Sequence, residues 1–383
     1  MPINAVSSYS ASQHVSQQNE SGKYENWQVG IEVLRGGAAM SVMLFHCIGL
    51  LSWDVSGTPL VIFRVGWIGV DLFFAISGYV ITASSIRQKD QPDYGEYFWR
   101  ARLARILPLY YVTTAVFLLA VSSAALNKGA LFQLLTHLFL AHNFFQSAAF
   151  SINGVTWSLS AELQFYLLAF FIVPLMMRAN RAMLIKGYLA LFGGVLAYRL
   201  VCWYWLTQTG ASEGAFIHLF LQVPALIDSF ALGGLIFMLN LPRLARLQTG
   251  LLAFFAFGLL MAIYFIYDAN ALRYWISLSM TVLFRSLVAI FAGVALLLAM
   301  SIRTTFIWRP MLELGKISYG IYLWHLIVLY LVQRYSPFKG TAAALTIIVL
   351  TLVLAKLSYL AIEMPSMRWA HNARPVRRRS GPQ

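Results

Sequence analysis

From residue 31 onward, the sequence is a succession of apolar stretches, each long enough to cross a lipid bilayer. A membrane-spanning helix needs about 20 apolar residues, because the hydrocarbon layer is about 30 Å thick and a helix rises about 1.5 Å per residue. Ten stretches meet this requirement, at 31–52, 64–86, 106–126, 157–178, 187–207, 216–240, 248–267, 281–301, 317–335 and 341–362. The predicted fold class is therefore an all-α, polytopic membrane bundle of about ten transmembrane helices.

The amino-acid composition excludes several other classes of protein. Hydrophobic residues make up 60% of the chain and charged residues 11%, whereas a soluble domain has about 45–50% apolar and about 25% charged residues. A water-soluble core of this size could not hide so much apolar surface. A soluble enzyme, a disordered chain and a nucleic-acid-binding domain are therefore excluded, despite the formal net charge of +14. We therefore expect the chain to be embedded in a lipid bilayer.

Three segments do not fit the pattern of spans. Residues 1–30 are polar and rich in Ser, Gln and Asn, which predicts a disordered tail before the membrane domain at 31–365. Residues 366–383 form a short basic tail. Segment 131–150 is apolar but contains two histidines and several side-chain amides, so we predict a re-entrant or interfacial helix there, with interfacial histidines.

The basic residues predict the orientation of the bundle. With the N-terminus inside, 19 Lys and Arg residues fall on the cytoplasmic side and five on the outer side. This excess follows the positive-inside rule, and counting 131–150 as a further span would destroy it. Both termini are therefore expected in the cytoplasm.

Ionisable side chains inside the spans are the strongest candidates for function, because they are costly in a bilayer. Arg35 and His46 are 11 residues apart on the first span and share one helix face, with His46 in the outer half. Spans two and four enter from outside, which brings Asp71 and Glu162 to a similar depth. A carboxylate bonded to one ring nitrogen of a histidine makes the other nitrogen more basic. The pattern predicts a histidine base, or alternatively a polar cluster that only holds helices together.

Two further features have less specific interpretations. Arg102 and Arg105 are three residues apart, so they share a helix face at the cytoplasmic entrance of span three. Such a fork suits phosphate groups, although topogenic charge or binding of anionic lipid headgroups is an equally good explanation. Asp228 and Arg285, on later spans, are expected to pair with each other inside the bundle.

The ionisable residues lie within sequence blocks that resemble acyltransferase family 3, a family of bacterial integral-membrane proteins. The resemblance covers about 31–365, and Gly37 is a small departure from the usual apolar residue. Five co-linear blocks carry it: Arg35 and His46 separated by ten residues, GVDLFFAISGY at 69–79, Arg102 and Arg105 followed by Pro108 and Tyr110, WSLSAE at 157–162, and SYGIYLWH at 318–325.

This resemblance implies O-acetylation, or related O-acylation, of a cell-surface or exported carbohydrate such as exopolysaccharide, O-antigen, peptidoglycan or lipo-oligosaccharide. It implies acetyl-CoA as the acyl donor, no metal, and a location in the bacterial inner membrane. Arg102, Arg105 and Arg35 would hold the phosphates of the donor. His46 would act as general base or as acetyl-accepting nucleophile, with Asp71 or Glu162 orienting it. The candidates for the acceptor path are Ser77, Tyr79, Trp157, Ser160, Tyr319, Tyr322 and His325. His325, near the middle of its span, is either a second active-site group or a polar anchor.

Two other functions are compatible with the residues alone. A proton-coupled transporter or flippase would use His46, Asp71 and Glu162 as a proton relay, although no internal repeat of the kind typical of transporters is visible. A non-catalytic scaffold is the third interpretation. A homo-oligomer is compatible with the pattern, since lipid-facing and partner-facing helices look alike.

Overall fold

The computed structural model describes residues 26–121, 129–242, 248–301 and 309–372. Within these ranges the chain is built from helices, because backbone groups in a bilayer must form their hydrogen bonds inside the segment itself. Of the predicted tail at residues 1–30, residues 1–25 lie outside the described part of the chain, and residues 26–30 belong to the first helix. Residues 373–383 of the predicted basic tail also lie outside it.

The described part of the chain contains fourteen α-helices. They are α1 Asn26–Leu50, α2 Gly69–Gln88, α3 Tyr94–Ala120, α4 Ala130–Leu138, α5 Trp157–Met176, α6 Arg181–Gln208, α7 Glu213–Phe220, α8 Val223–Met238, α9 Thr249–Asn270, α10 Arg285–Ser301, α11 Arg309–Lys316, α12 Ser318–Tyr335, α13 Gly340–Ser358 and α14 Met364–Asn372. A 3₁₀ helix at Pro59–Ile68 leads into α2, and π-helical turns at Ser279–Phe284 and Tyr359–Glu363 precede α10 and α14.

The number of membrane spans agrees with the sequence prediction. Nine helical segments in the described residues are long and apolar enough to cross a membrane, and the number is ten if α11 and α12 count as one span bent by 71°. Helix α4 has nine residues and is therefore only about 14 Å long, which is too short to cross. The chain is an integral membrane helix bundle, as predicted.

Helices α2 and α8 approach each other closely because both carry glycine at the contact. A Cβ atom at Gly78 would overlap the carbonyl oxygen of Phe230, and one at Gly233 would overlap the carbonyl oxygen of Ala75. Small residues allow this approach, which maximises van der Waals packing where no hydrophobic force drives helices together in lipid. Helix α1 contacts α2, α10, α11 and α12, so the first span lies inside the bundle.

Four buried charges link α2, α6, α8 and α10. Arg199 pairs with Asp228 at 2.8 Å, and Arg285 lies 3.7 Å from Asp71. The predicted pairing of Asp228 with Arg285 is therefore replaced by two other pairs. The sequence placed these residues at compatible depths, but the rotation of each helix about its axis selects the partner.

The segment between α3 and α5 packs into the bundle more deeply than an interfacial segment would. The rings of His137 and His142 are stacked with centroids 4.0 Å apart, and their side chains are 1% and 0% exposed. Asn153 donates from Nδ2 to the carbonyl of Leu323 at 3.0 Å, which connects this segment to α12. The histidines predicted at the interface are thus buried.

Candidate active site

A long cavity lies between α1, α2, α3, α5 and α12, and its volume is about 240 Å³. One face of α2 lines it along its length, with Val70, Phe73, Ser77, Ser84 and Gln88 at the three- and four-residue spacings of a single helix face. Eighteen residues of helix separate the first and last of these, which corresponds to about 27 Å at 1.5 Å per residue. We call this space the central cavity.

Arginine side chains line one end of the central cavity, which we call the arginine end. Arg35, Arg102 and Arg105 all contribute to it, so the structure brings together the three residues predicted to hold phosphates. The guanidinium of Arg102 donates to Ser84 Oγ at 2.6 Å and to the carbonyl of Phe98 at 2.7 Å, and it lies 3.5 Å from the centre of the Phe98 ring. These contacts hold Arg102 in place, although its buried Nε has no partner.

Glu162 lies along the middle of the cavity, where hydroxyl groups surround it. Its Oε1 accepts hydrogen bonds from Ser77 Oγ and, at 2.6 Å, from the hydroxyl of Tyr166. Tyr319 lines the same stretch and donates to the carbonyl of Ile106 at 2.8 Å. The cavity wall is therefore polar at mid-length and offers hydrogen-bond partners to a bound molecule.

Tyr322 forms the wall between the cavity and two histidines. Its hydroxyl donates to the carbonyl of Val155 at 2.9 Å and lies 2.7 Å from Ser158 Oγ. Its ring is 5.9 Å from the ring of His325, whose Nε2 lies 3.1 Å from Nδ1 of His46. The two histidines lie beyond the end of the cavity opposite the arginines, which we call the histidine end.

The hydrogen bonds of the histidine pair fix which nitrogen of His46 can react. A carbonyl only accepts, so the 3.1 Å contact between Nδ1 of His325 and Ile321 O places a proton on that nitrogen and leaves its Nε2 as an acceptor. Nδ1 of His46 lies 3.0 Å from Val42 O and faces this Nε2, so it also carries a proton and shares it between both acceptors. The lone pair of His46 is then on Nε2.

The two acids predicted beside His46 are engaged elsewhere. Glu162 contacts Ser77 and Tyr166, while Asp71 accepts from Ser229 Oγ at 3.2 Å and faces Arg285. His46 has Val42 and His325 as its hydrogen-bond partners among the described residues. The structure therefore places a second histidine where the sequence predicted a carboxylate, because similar depth does not determine which helix faces meet.

Four of the residues predicted along the acceptor path lie outside the cavity lining, and one of them is His325, which lies beyond the histidine end. Tyr79 packs against a phenylalanine of α8 with ring centres 5.3 Å apart, and Trp157 packs against Phe74 at 6.3 Å. Ser160 is fully buried and donates to the carbonyl of Leu140. Ser77, Tyr319 and Tyr322 line the cavity as expected.

The sequence prediction did not include several residues that line the cavity. Phe73, Ser84 and Tyr166 are among them. Helical spacing could have identified two of these residues, because Ser84 follows Ser77 by seven residues and Tyr166 follows Glu162 by four, so each lies on the same helix face as a predicted residue. As for metals, no group of three His, Cys, Asp or Glu side chains in the described ranges could hold an ion.

Comparison with known proteins identifies the family. The model of an acyltransferase domain, that of acyltransferase family 3, matches residues 28–360. The chain belongs to this acyltransferase family. The family match covers all the helices that line the central cavity, and the predictions of an acyltransferase enzyme and of its family are confirmed. No solved structure matches the chain.

Curated relatives of this acyltransferase include proteins from three bacteria. "Putative membrane-bound transacylase BcsY" of Komagataeibacter xylinus is 27% identical over 93% of this chain and 87% of its own length. "Putative peptidoglycan O-acetyltransferase YrhL" of Bacillus subtilis is 28% identical over 88% of this chain. "O-acetyltransferase OatA" of Staphylococcus aureus is 24% identical over the same share. The chain spans 54% of YrhL and 56% of OatA.

Proposed function

We propose that this acyltransferase transfers an acetyl group from acetyl-CoA to a hydroxyl of a cell-surface or exported carbohydrate. The observation that carries the proposal is a cavity about 27 Å long with three arginines at one end and a histidine with a free ring nitrogen beyond the other. Two of the relatives are named O-acetyltransferases, which supports this reaction.

The arginine end is the proposed site for the phosphates of the donor. Arg35, Arg102 and Arg105 provide planar, permanently charged groups that bind phosphate oxygens. Phosphates are too costly to bury in hydrocarbon, so they stay at the membrane surface. The excess of basic residues supports a cytoplasmic location for this end, with the chain in the bacterial inner membrane.

The uncharged arm of the donor is proposed to extend through the central cavity. Glu162 and Ser77 lie at mid-length and provide hydrogen-bond partners for the amide groups of the arm. Asp71 is proposed to hold α2 against α10 through Arg285, and so to keep the lining face of α2 in place. The thioester then reaches the histidine end.

His46 is the proposed catalytic residue, acting through Nε2. As a general base, it takes the proton of the sugar hydroxyl while the hydroxyl oxygen bonds to the thioester carbon, and then gives this proton to the departing CoA thiolate. As a nucleophile, Nε2 bonds to the thioester carbon while the C–S bond breaks and CoA leaves as the thiolate. The sugar hydroxyl oxygen then bonds to the acetyl carbon, the C–N bond to His46 breaks, and the hydroxyl proton neutralises the CoA thiolate. Both routes create a positively charged His46 ring, and the lone pair of His325 Nε2 stabilises it by accepting a hydrogen bond from His46 Nδ1.

Label transfer in membranes tests this function. Membranes that contain the enzyme and its native acceptor are incubated with [¹⁴C-acetyl]-CoA, and base-labile label in the glycan fraction is counted. We expect His46→Ala to abolish transfer. His218→Ala provides the control, because this histidine lies on α7 and does not line the central cavity. Uptake or release of a labelled solute without covalent transfer would instead support the transporter.

A second measurement separates the two routes of catalysis. In the absence of acceptor, acid quench and mass spectrometry would detect an acetyl group on the peptide that contains His46 if this residue is the nucleophile. An acetyl-free peptide during turnover, with release of CoA only when acceptor is present, indicates the general base. Mass spectrometry of surface glycans from a deletion strain would identify the acceptor.

A further inference from the structure

The wall at the histidine end of the central cavity is made of aromatic rings. Phe73 and Tyr322 both line the cavity, and their rings meet edge to face with centroids 5.8 Å apart. Phe74 lines it beside them and is stacked on Phe230 at 4.3 Å. An acyl group that reaches His46 from the cavity therefore has to pass rigid, bulky side chains.

Tyr322 cannot easily swing aside to widen this passage. Its hydroxyl has two partners, the carbonyl of Val155 at 2.9 Å and Ser158 Oγ at 2.7 Å. Movement of the ring would leave the Tyr322 hydroxyl without either partner, which is costly in a dry interior. On the other side of the passage, the half-buried Phe73 side chain is held only by packing. The size of the passage is thus set by the Phe73 side chain.

The reactive pair lies directly behind this aromatic wall. The Tyr322 ring lies 5.9 Å from the His325 ring, and the His325 ring lies 5.1 Å from the His46 ring. No comparable narrowing is needed at the other end, where arginine, glutamine and serine side chains line the cavity. The aromatic rings therefore lie where the acyl group of a bound donor would sit, and they do not contact its phosphates.

We infer that Phe73 and Tyr322 form a gate that restricts the transferred acyl group to the two-carbon acetyl group, with Phe73 as the specificity-determining residue. This inference rests on the proposed function, because it assumes a thioester at the histidine end. A hydrophobic pocket discriminates against one extra methylene by about 10–200-fold. Removal of the Phe73 ring provides more space than the two methylenes that distinguish butyryl from acetyl.

The test measures the ratio of butyryl to acetyl transfer. Membranes with the native acceptor are incubated with ¹⁴C-labelled acetyl-CoA or butyryl-CoA, and base-labile glycan label is counted. We expect the wild type to transfer mainly acetyl, and Phe73→Ala to raise the butyryl-to-acetyl ratio about tenfold or more. Phe73→Leu removes less of the side chain and should also raise the butyryl-to-acetyl ratio. It replaces the alanine variant if that variant does not fold.

A matched control separates the gate from general loosening of the bundle. Phe165 is also buried and is stacked on Phe230 at 4.0 Å, but it does not line the cavity. Phe165→Ala should leave the butyryl-to-acetyl ratio at the wild-type value. The gate is refuted if Phe73→Ala and Phe73→Leu keep the wild-type ratio, or if the wild type transfers both groups equally. Absence of transfer from either donor by the wild type would instead refute the proposed function.

Discussion

Replacement of His325 by phenylalanine tests the role of the histidine pair most directly. The substitution keeps a planar ring of similar size but removes the nitrogen that lies 3.1 Å from Nδ1 of His46. The other nitrogen of His325 contacts the carbonyl of Ile321 in its own helix, so no partner on another helix is left unpaired. The variant therefore isolates a single hydrogen bond.

The expected loss of rate follows from the strength of this bond in the charged state. A hydrogen bond to a charged group contributes about 1.5–3 kcal/mol. Each 1.36 kcal/mol of barrier changes the rate about tenfold. Because Nδ1 of His46 keeps the carbonyl of Val42 at 3.0 Å, the loss should stay partial. We expect His325→Phe to lower kcat by roughly 10- to 150-fold with little change in the KM for acetyl-CoA.

The assay is initial-rate transfer of label from [¹⁴C-acetyl]-CoA to membrane glycan. His325→Gln restores an acceptor oxygen and should recover part of the lost rate, which a purely structural role would not predict. Wild-type kcat in His325→Phe, or equal activity of the Phe and Gln variants, would refute the proposed support of His46 by His325.

Three further predictions follow from other parts of the structure. Arg102→Ala should abolish the thermal stabilisation that CoA provides and raise the KM for acetyl-CoA, whereas the exposed Arg334→Ala should change neither. Arg199→Met leaves Asp228 buried without its charged partner and should lower the free energy of unfolding by about 3–5 kcal/mol, measured by thermal unfolding in detergent. The double variant that also carries Asp228→Leu should recover part of this loss. Burial lowers the pKa of His142, which lies outside the spans, to about 3. As the pH falls, this histidine is therefore protonated in the unfolded state before it is protonated in the folded state, and the free energy of unfolding should decrease below about pH 6.5 by up to roughly 1.4 kcal/mol per pH unit. His142→Phe should flatten this pH dependence.

The sequence alone determined the properties that depend on short stretches of chain. Ten spans could be predicted because insertion depends on the hydrophobicity of about 20 consecutive residues. The fork of Arg102 and Arg105 could be predicted because residues three apart share a helix face whatever the helix packs against. The depth of His46 followed in the same way from its distance to the end of its span.

The partners of these residues were decided only by the tertiary structure. His325 is 279 residues from His46 in the chain, and the sequence placed it on the acceptor path. Asp71 was predicted beside His46 and instead faces Arg285. Hydropathy sets the depth of a helix but leaves its rotation about its own axis undetermined. Close contacts, such as the glycine contact of α2 with α8, fix that rotation and so decide which side chains meet.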